Sequence, residues 1–161
     1  MLIQVKIKGV ALDPLTNVPI VLLKKMEDEQ TFPIWIGFFE ANAIVAQIEN
    51  LVPPRPMTHD LIKDILKNLE AKVNRVVITD LRDNTFYAVI EIDHDGKAIS
   101  VDSRPSDAIA LALRVDAPFF VEEEVFKKAK KIDLSQDATQ EHKWKQWLEK
   151  SSPEDFGKYE M

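Results

Sequence analysis

The segment from Asp102 to Asp107 concentrates side chains that could act on a phosphate ester. A strand is predicted before it and a helix after it, because Pro105 suits the first turn of a helix. A helix N-terminus offers unpaired N–H groups and the positive end of its dipole to an anion. Arg104 could add a bidentate contact to phosphate, and Asp102 and Asp107 could bind Mg²⁺ or Mn²⁺. These residue types point to metal-assisted hydrolysis of a phosphodiester.

The same segment also has a structural interpretation, and the residue types leave both open. Ser103 or Asp102 would cap the helix, Asp107 would complement its dipole, and Arg104 would form an internal ion pair. In that case the protein is a non-catalytic oligomeric module in which an arginine and aspartate network stabilises the helix junctions.

A second polar segment, from Arg55 to Asp60, is predicted to open another helix with Thr58 as its N-cap. His59 could act as a general base or proton shuttle, and Asp60 could orient it or bind a metal. The structural alternative is a capped helix with a first-turn aspartate and a surface histidine. A shared active site requires the helix N-termini near residues 58 and 105 to face one cleft.

The third candidate position is Glu40, which is predicted at the start of the first helix, close to Gly37. Gly37 has no side chain and therefore permits a close approach. Glu40 is either a further metal ligand or a partner of the helix dipole.

The composition limits what this chemistry can be. The chain has 161 residues, no cysteine and a net charge of −6, so thiolate metal sites and thiol nucleophiles are excluded. An acidic protein does not attract polyanions as a whole, so a nucleic-acid role requires a local basic patch or a metal. Lys127 to Lys131 are one candidate, although Glu122 to Glu124 precede them. No long apolar run or signal-peptide pattern is present, which predicts a cytoplasmic protein without a membrane partner.

Hydrophobic periodicity predicts the elements that must position these residues. Alternating apolar residues indicate strands, and apolar residues at helical spacing indicate helices. The result is an α+β fold with mixed or antiparallel sheets, in which a β-β-β-α unit occurs twice with one inserted helix. The predicted strands are 3–7, 18–24, 31–36, 73–81, 85–92, 98–101 and 119–121, and the helices are 41–51, 58–72 and one from 105.

The chain is predicted to form one domain over residues 1–125, followed by a C-terminal helical tail over 126–161. In the tail, residues 141–150 suit a helix with Trp144, Trp147 and Leu148 on one face.

Four blocks of residues together resemble the bifunctional nuclease domain family. The resemblance covers roughly residues 1–125, and its most specific block contains Ser103-Arg104-Pro105-Ser106-Asp107. It implies an α+β fold, self-association, and cleavage of RNA or DNA as credited to some plant members. The blocks are Phe32 to Gly37 with Glu40, Arg55 to Leu61, Asp83 to Ala88, and Asp102 to Ala112.

The resemblance does not identify the catalytic residues one by one. The site is therefore predicted from the chemistry of the side chains at the polar positions of the family's motifs. The expected cofactor is Mg²⁺ or Mn²⁺, and the expected partners are a second copy of the chain and nucleic acid. The predicted catalytic residues are His59, Asp60, Arg104 and Asp107; the phosphate-binding residues are Arg55 and Arg104; and the metal ligands are Glu40, Asp102 and Asp107.

Overall fold

The computed structural model describes residues 1–129, which form one mixed seven-stranded sheet and four helices. The predicted tail helix at 141–150 lies outside these residues. The elements are β1 (Leu2–Leu12), β2 (Pro19–Lys25), β3 (Thr31–Trp35), α1 (Phe38–Ile48), α2 (Thr58–Asn68), β4 (Lys72–Arg82), β5 (Thr85–His94), β6 (Lys97–Ser103), α3 (Pro105–Val115), β7 (Phe119–Glu122) and α4 (Glu123–Lys128).

The sheet joins two antiparallel three-stranded units through a short central strand. Its order is β3-β2-β1-β7-β4-β5-β6. β7 pairs antiparallel with β1 and parallel with β4, whereas the other pairs are antiparallel. The α+β prediction is therefore confirmed, and the order β-β-β-α occurs twice along the chain with α2 between the two occurrences.

Tight turns set the register of the second unit. Asp83 and Asn84 both have positive φ, as do Asp95 and Gly96, which is what a two-residue hairpin turn with the twist of its strands requires. These turns place Ala88 opposite Ser103 at the end of β6, directly before α3 begins.

The core lies between the helices and one face of the sheet. Val5, Leu23 and Phe32 contribute from the strands, and Ile44 and Ile109 contribute from α1 and α3. Most of α3 is buried, as its nearly continuous apolar sequence predicts, with every residue from Ala108 to Ala112 at 2% exposure or less. Burial on this scale fixes α3 against its neighbours and so fixes the polar residues at its N-terminus.

Both α1 and α2 end earlier than the apolar spacing predicts. Asn50 and Glu70 adopt left-handed backbone conformations, and the following residues donate N–H groups back to the helix, from Leu51 to Ala46 and from Ala71 to Leu66. This local geometry terminates a helix even where the next apolar residue keeps the period. Leu51 is therefore outside α1 and is 58% exposed.

The start of α2 also differs by one residue from the prediction. Met57, not Thr58, is the N-cap. The N–H of Met57 donates to the carboxylate of Asp60 at 3.0 Å, so a first-turn carboxylate, rather than a threonine hydroxyl, stabilises this helix end.

The predicted domain boundary at residue 125 falls within α4 (Glu123–Lys128). This boundary stays a prediction.

Candidate functional site

Arg104 joins two carboxylates that belong to different helices. It is the N-cap of α3, and its Nε donates to Oδ2 of Asp107 at 2.8 Å while its Nη1 donates to Oε1 of Glu40 at 2.9 Å. The Arg104 side chain is nevertheless 64% exposed. The internal ion pair predicted by the structural interpretation is thus present, and the guanidinium still faces solvent.

His59 extends this arrangement to a third helix. Its Nε2 lies 3.0 Å from Oδ1 of Asp107, across 48 positions of sequence. The helix N-termini near residues 58 and 105 therefore meet, as a shared site requires. His59 is only 9% exposed, so the surface position expected by the structural alternative is wrong. We call His59, Asp107, Arg104 and Glu40 the polar cluster.

Every member of the polar cluster comes from the beginning of a helix. Glu40 and Asp107 lie in the first turns of α1 and α3, His59 lies in the first turn of α2, and Arg104 caps α3. Three positive helix dipole ends are thus brought together, which favours negative charge at this point.

The electrostatics of Asp107 favour its ionised form. Partial burial acts to raise the pKa of its carboxyl, but hydrogen bonds and charge from Arg104 and His59 outweigh burial, so the pKa lies below its ordinary value. The hydrogen bonds from Arg104 to Asp107 and then to Glu40 raise the pKa of Arg104. Because a carboxylate only accepts hydrogen bonds, Nε2 of His59 is the nitrogen that donates to Asp107, and whenever the ring is neutral Nδ1 is its acceptor nitrogen.

The second ring nitrogen of His59, Nδ1, is not engaged by the polar cluster. It makes no hydrogen bond to any residue of 1–129, and the only fully buried side-chain oxygen or nitrogen lacking a partner in that range is Oδ1 of Asn42. The ring is therefore held at one nitrogen, and the other nitrogen has no partner within residues 1–129.

Asp60 belongs to a separate contact. Its Oδ1 accepts from Nε of Arg114 at 2.7 Å and its Oδ2 from the Met57 N–H. Arg114 is 5% exposed and also donates to the carbonyls of Ala110 and Ala43. Burial acts to raise the pKa of Asp60, but the bonds from Arg114 and Met57 outweigh it and lower that pKa. This pair links α2 to α3 and α1, and it does not reach the polar cluster.

Two other predicted residues are not joined to the polar cluster. Asp102 is exposed on β6, where its Cα is paired with that of Val89, and its side chain forms no hydrogen bond or ion pair within residues 1–129. Arg55 is exposed on the connection between α1 and α2 and has no partner in the same range. The predicted cap of α3 by Ser103 or Asp102 is wrong, because Ser103 Oγ donates to the Arg104 carbonyl instead.

Of the predicted metal ligands, Glu40 and Asp107 both bind Arg104, and Asp102 lies apart from them on β6. No group of three His, Cys, Asp or Glu side chains within residues 1–129 is placed to hold a metal ion. Both oxygens of Asp107 accept hydrogen bonds, and Glu40 binds Arg104. A divalent cation at Glu40 and Asp107 would therefore compete with the guanidinium of Arg104, which already binds both carboxylates.

Gly37 provides the space that Glu40 occupies. It is the N-cap of α1, and a Cβ at Gly37 would overlap Oε2 of Glu40. The close approach predicted beside this glycine is thus made by the glutamate of its own helix. Any larger residue at position 37 must move the carboxylate that binds Arg104.

The residue that sequence reasoning missed is Arg114. A single charge near the end of the apolar run from Ala108 to Val115 is its sequence signal, because a cation on a buried helix needs an anionic partner. The sequence does not identify Asp60 as that partner, since the two lie 54 positions apart.

The fold and the polar cluster together describe an α+β domain with an arginine–carboxylate–histidine site built from helix N-termini. The sequence model of the bifunctional nuclease domain matches residues 21–133, and the chain belongs to that family.

Relatives of two kinds are similar to this chain. An uncharacterized protein of Mycobacterium tuberculosis (strain H37Rv) is 38% identical over 162 residues, covering 95% of this chain and 97% of its own. Bifunctional nuclease 1 of Oryza sativa subsp. japonica is 29% identical over 105 residues, and Bifunctional nuclease 2 of Arabidopsis thaliana is 28% identical over 105 residues. Each plant match covers 62% of this chain and only 32% of the plant protein.

Proposed function

We propose that this protein is a nuclease that hydrolyses phosphodiester bonds of RNA or DNA, with the polar cluster as its active site. The observation that carries the proposal is the meeting of an exposed arginine with an Asp107-bound histidine at three helix N-termini. Membership of the bifunctional nuclease domain family supports the same reaction class.

Arg104 is the group that would bind the scissile phosphate. A guanidinium has five N–H donors, and only two of them are used by Asp107 and Glu40. The remaining donors belong to an exposed side chain that the two carboxylates hold in one orientation. Such a held arginine can stabilise the charge that builds on the phosphate oxygens during hydrolysis. Arg55, exposed and unpaired within residues 1–129, would supply a second phosphate contact.

His59 is the group that would move the proton. Asp107 fixes the ring through Nε2, which leaves Nδ1 of the neutral ring to accept a proton from water. As the water oxygen bonds to phosphorus, the bond from phosphorus to the leaving oxygen breaks, that oxygen takes up a proton from solvent, and His59 then releases its proton to solvent. Asp60 is assigned a structural role here, because Arg114 and Met57 use both of its oxygens.

Dependence of this hydrolysis on Mg²⁺ or Mn²⁺ stays a prediction. A bound divalent cation would supply charge neutralisation and activation of water. Since Arg104 occupies Glu40 and Asp107, substrate phosphate oxygens would have to complete any such site.

The test is cleavage of end-labelled single- and double-stranded RNA and DNA with Mg²⁺, with Mn²⁺ and with chelator. The variants are His59→Gln, Arg104→Lys and Asp107→Asn, each checked for folding by circular dichroism. Arg82→Lys is the matched control, because Arg82 is also an exposed, aspartate-paired arginine, with 61% exposure. We expect a loss of about 10²-fold or more in rate for each cluster variant and no loss for Arg82→Lys.

The opposite result favours a second function, a non-catalytic oligomeric binding or structural module. The burial of His59 and the engagement of both Asp107 oxygens favour that function. No cleavage by the wild-type protein, or equal cleavage by all variants, would recast the polar cluster as a device that joins three helices. In that case the cluster variants would lower the melting temperature and change no activity.

A further inference from the structure

Three lysines lie close together on the first two strands. Lys6 of β1 is paired directly with Lys24 of β2, and Lys8 follows at the register shift between Ile7 and Gly9. Directly opposed residues of antiparallel strands have Cβ atoms about 5 Å apart. Val5, next to Lys6, is buried in the core, whereas Lys6 and Lys8 are exposed. We call Lys6, Lys8 and Lys24 the lysine patch.

A single carboxylate within residues 1–129 balances the lysine patch. Lys24 binds Glu29, which lies between β2 and β3 and is 84% exposed, whereas Lys6 and Lys8 form no ion pair in that range. The hydrogen bond from Lys24, followed by the charges of Lys24, Lys8 and Lys6, holds the pKa of Glu29 below its ordinary value. Three ammonium groups thus share one carboxylate, and like charges placed opposite each other are destabilising.

Two lysines of α4 are neutralised locally. Lys127 binds Glu123 and Glu124, and Lys128 lies 3.7 Å from Asp80. The basic cluster predicted around Lys127 is therefore, as far as the structure describes it, an acid-paired helix end. In a chain of net charge −6, the lysine patch is a place where positive charge stays in excess.

We propose that the lysine patch binds the phosphodiester backbone of nucleic acid, at a surface separate from the polar cluster. The partner is the substrate class of the proposed function, and the inference rests on that function for its biological sense. Charge complementarity carries it: a nucleic-acid role in an acidic protein requires a local basic surface, and phosphates would replace the weak, exposed counter-ion Glu29. The patch contributes affinity and takes no part in bond cleavage.

The test is direct binding by the full-length chain. Fluorescence anisotropy would follow fluorescein-labelled single-stranded RNA, single-stranded DNA and duplex DNA in chelator, with gels to show that each probe stays intact. The double variant Lys6→Gln/Lys8→Gln is compared with Lys72→Gln/Lys97→Gln. The control changes charge equally at two exposed lysines of β4 and β6, which have no ion pair within residues 1–129.

The patch variant should bind single strands about tenfold more weakly than wild type at low salt, and its salt slope should fall by about 1.4, or 0.7 for each lost phosphate contact. Glu29→Gln should tighten binding. Affinity of the Lys6/Lys8 variant equal to wild type, an equal loss in the control, or no binding by wild type would each overturn the inference.

Turnover separates this inference from the proposed function. On a long polynucleotide the patch variant should raise KM and leave kcat unchanged, while hydrolysis of bis(4-nitrophenyl) phosphate stays at the wild-type rate. Binding that depends on Lys6 and Lys8 without any cleavage would contradict the nuclease proposal and support nucleic-acid binding by the lysine patch. Cleavage with a KM that does not change in the Lys6→Gln/Lys8→Gln variant would support the nuclease proposal and contradict binding by the lysine patch.

Discussion

At the scale of single residues, the site depends on how charge is shared. Arg104 donates to Glu40 and Asp107, and its other N–H groups belong to an exposed side chain. Arg114 is buried and donates to Asp60 and to two backbone carbonyls. The two arginines at the ends of α3 have the same chemistry, and burial alone leaves Arg104 exposed and makes Arg114 a link between helices.

The first prediction at this scale concerns the buried pair. Asp60→Asn should lower the free energy of unfolding by about 2–4 kcal/mol, because it leaves the 5%-exposed Arg114 without its anion. Urea unfolding measures the change. Asp64→Asn, one turn further along α2 with a carboxylate that has no partner within residues 1–129, should change stability by less than about 0.5 kcal/mol. Equal effects of the two substitutions would contradict this role for Arg114.

The second prediction concerns pH. Because the pKa of Asp107 is lowered in the folded state, its stabilising contribution is present above the unfolded pKa near 3.8 and is lost as pH falls through the lower folded pKa. Urea unfolding from pH 7 to pH 2 should show wild type more stable than Asp107→Asn above about pH 4, with the gap closing below it. A gap that is constant over this range would mean that ionisation of Asp107 does not stabilise the fold.

At the scale of elements, the site is a product of three helix beginnings. α1 and α3 pack on the same core and α2 packs against α3, so their first turns meet. Gly37 allows Glu40 to fold back over the start of α1 toward Arg104. The contact between the two halves of the fold thus depends on a position with no side chain.

Gly37→Ala should therefore act through Glu40. The methyl group displaces the Glu40 carboxylate from Arg104, so Gly37→Ala should lower both the melting temperature and any phosphodiesterase activity. In a double-mutant cycle with Glu40→Gln, measured by urea unfolding, the two changes should be non-additive, since each removes the same ion pair. Gly9→Ala is the control, because a Cβ there meets nothing within 4 Å. Full additivity of Gly37→Ala and Glu40→Gln would rule out this mechanism.

At the scale of the whole molecule, the sheet formed by residues 1–129 has two edge strands, β3 and β6. β6 is an edge strand, its residues are mostly exposed, and Ile99 and Val101 are 42% and 41% exposed. Unpaired backbone groups of an edge strand, next to exposed apolar side chains, can pair with another chain.

Within residues 1–129, no helix is long and apolar enough to cross a membrane.

Self-association, which stays a prediction, should therefore involve β6. Sedimentation velocity should show a concentration-dependent dimer or larger species for wild type, and Ile99→Lys should shift it toward monomer because an inserted charge opposes edge pairing. Val18→Lys, a similarly exposed position at 36% outside β6, should leave the distribution unchanged. A monomer at every concentration, or an Ile99→Lys variant that associates like wild type, would contradict the prediction.

Local sequence determined the elements and the kinds of charge at their ends. Alternation predicts the strands, Asp95-Gly96 predicts a hairpin turn and Pro105 predicts the start of α3, because each depends on the backbone preferences of adjacent residues. The early ends of α1 and α2 escaped prediction because Asn50 and Glu70 adopt left-handed conformations that these residue types reach only occasionally.

Only the tertiary structure decided which charges meet. His59 and Asp107 are 48 positions apart, Glu40 and Arg104 are 64 apart, and Asp60 and Arg114 are 54 apart. Helix spacing predicts that each residue lies near a helix end, but it holds no information on which helix ends converge. That convergence follows from packing α1 and α3 against one core. The same packing keeps Asp60 and Asp102 outside the polar cluster, although their residue types alone are compatible with membership.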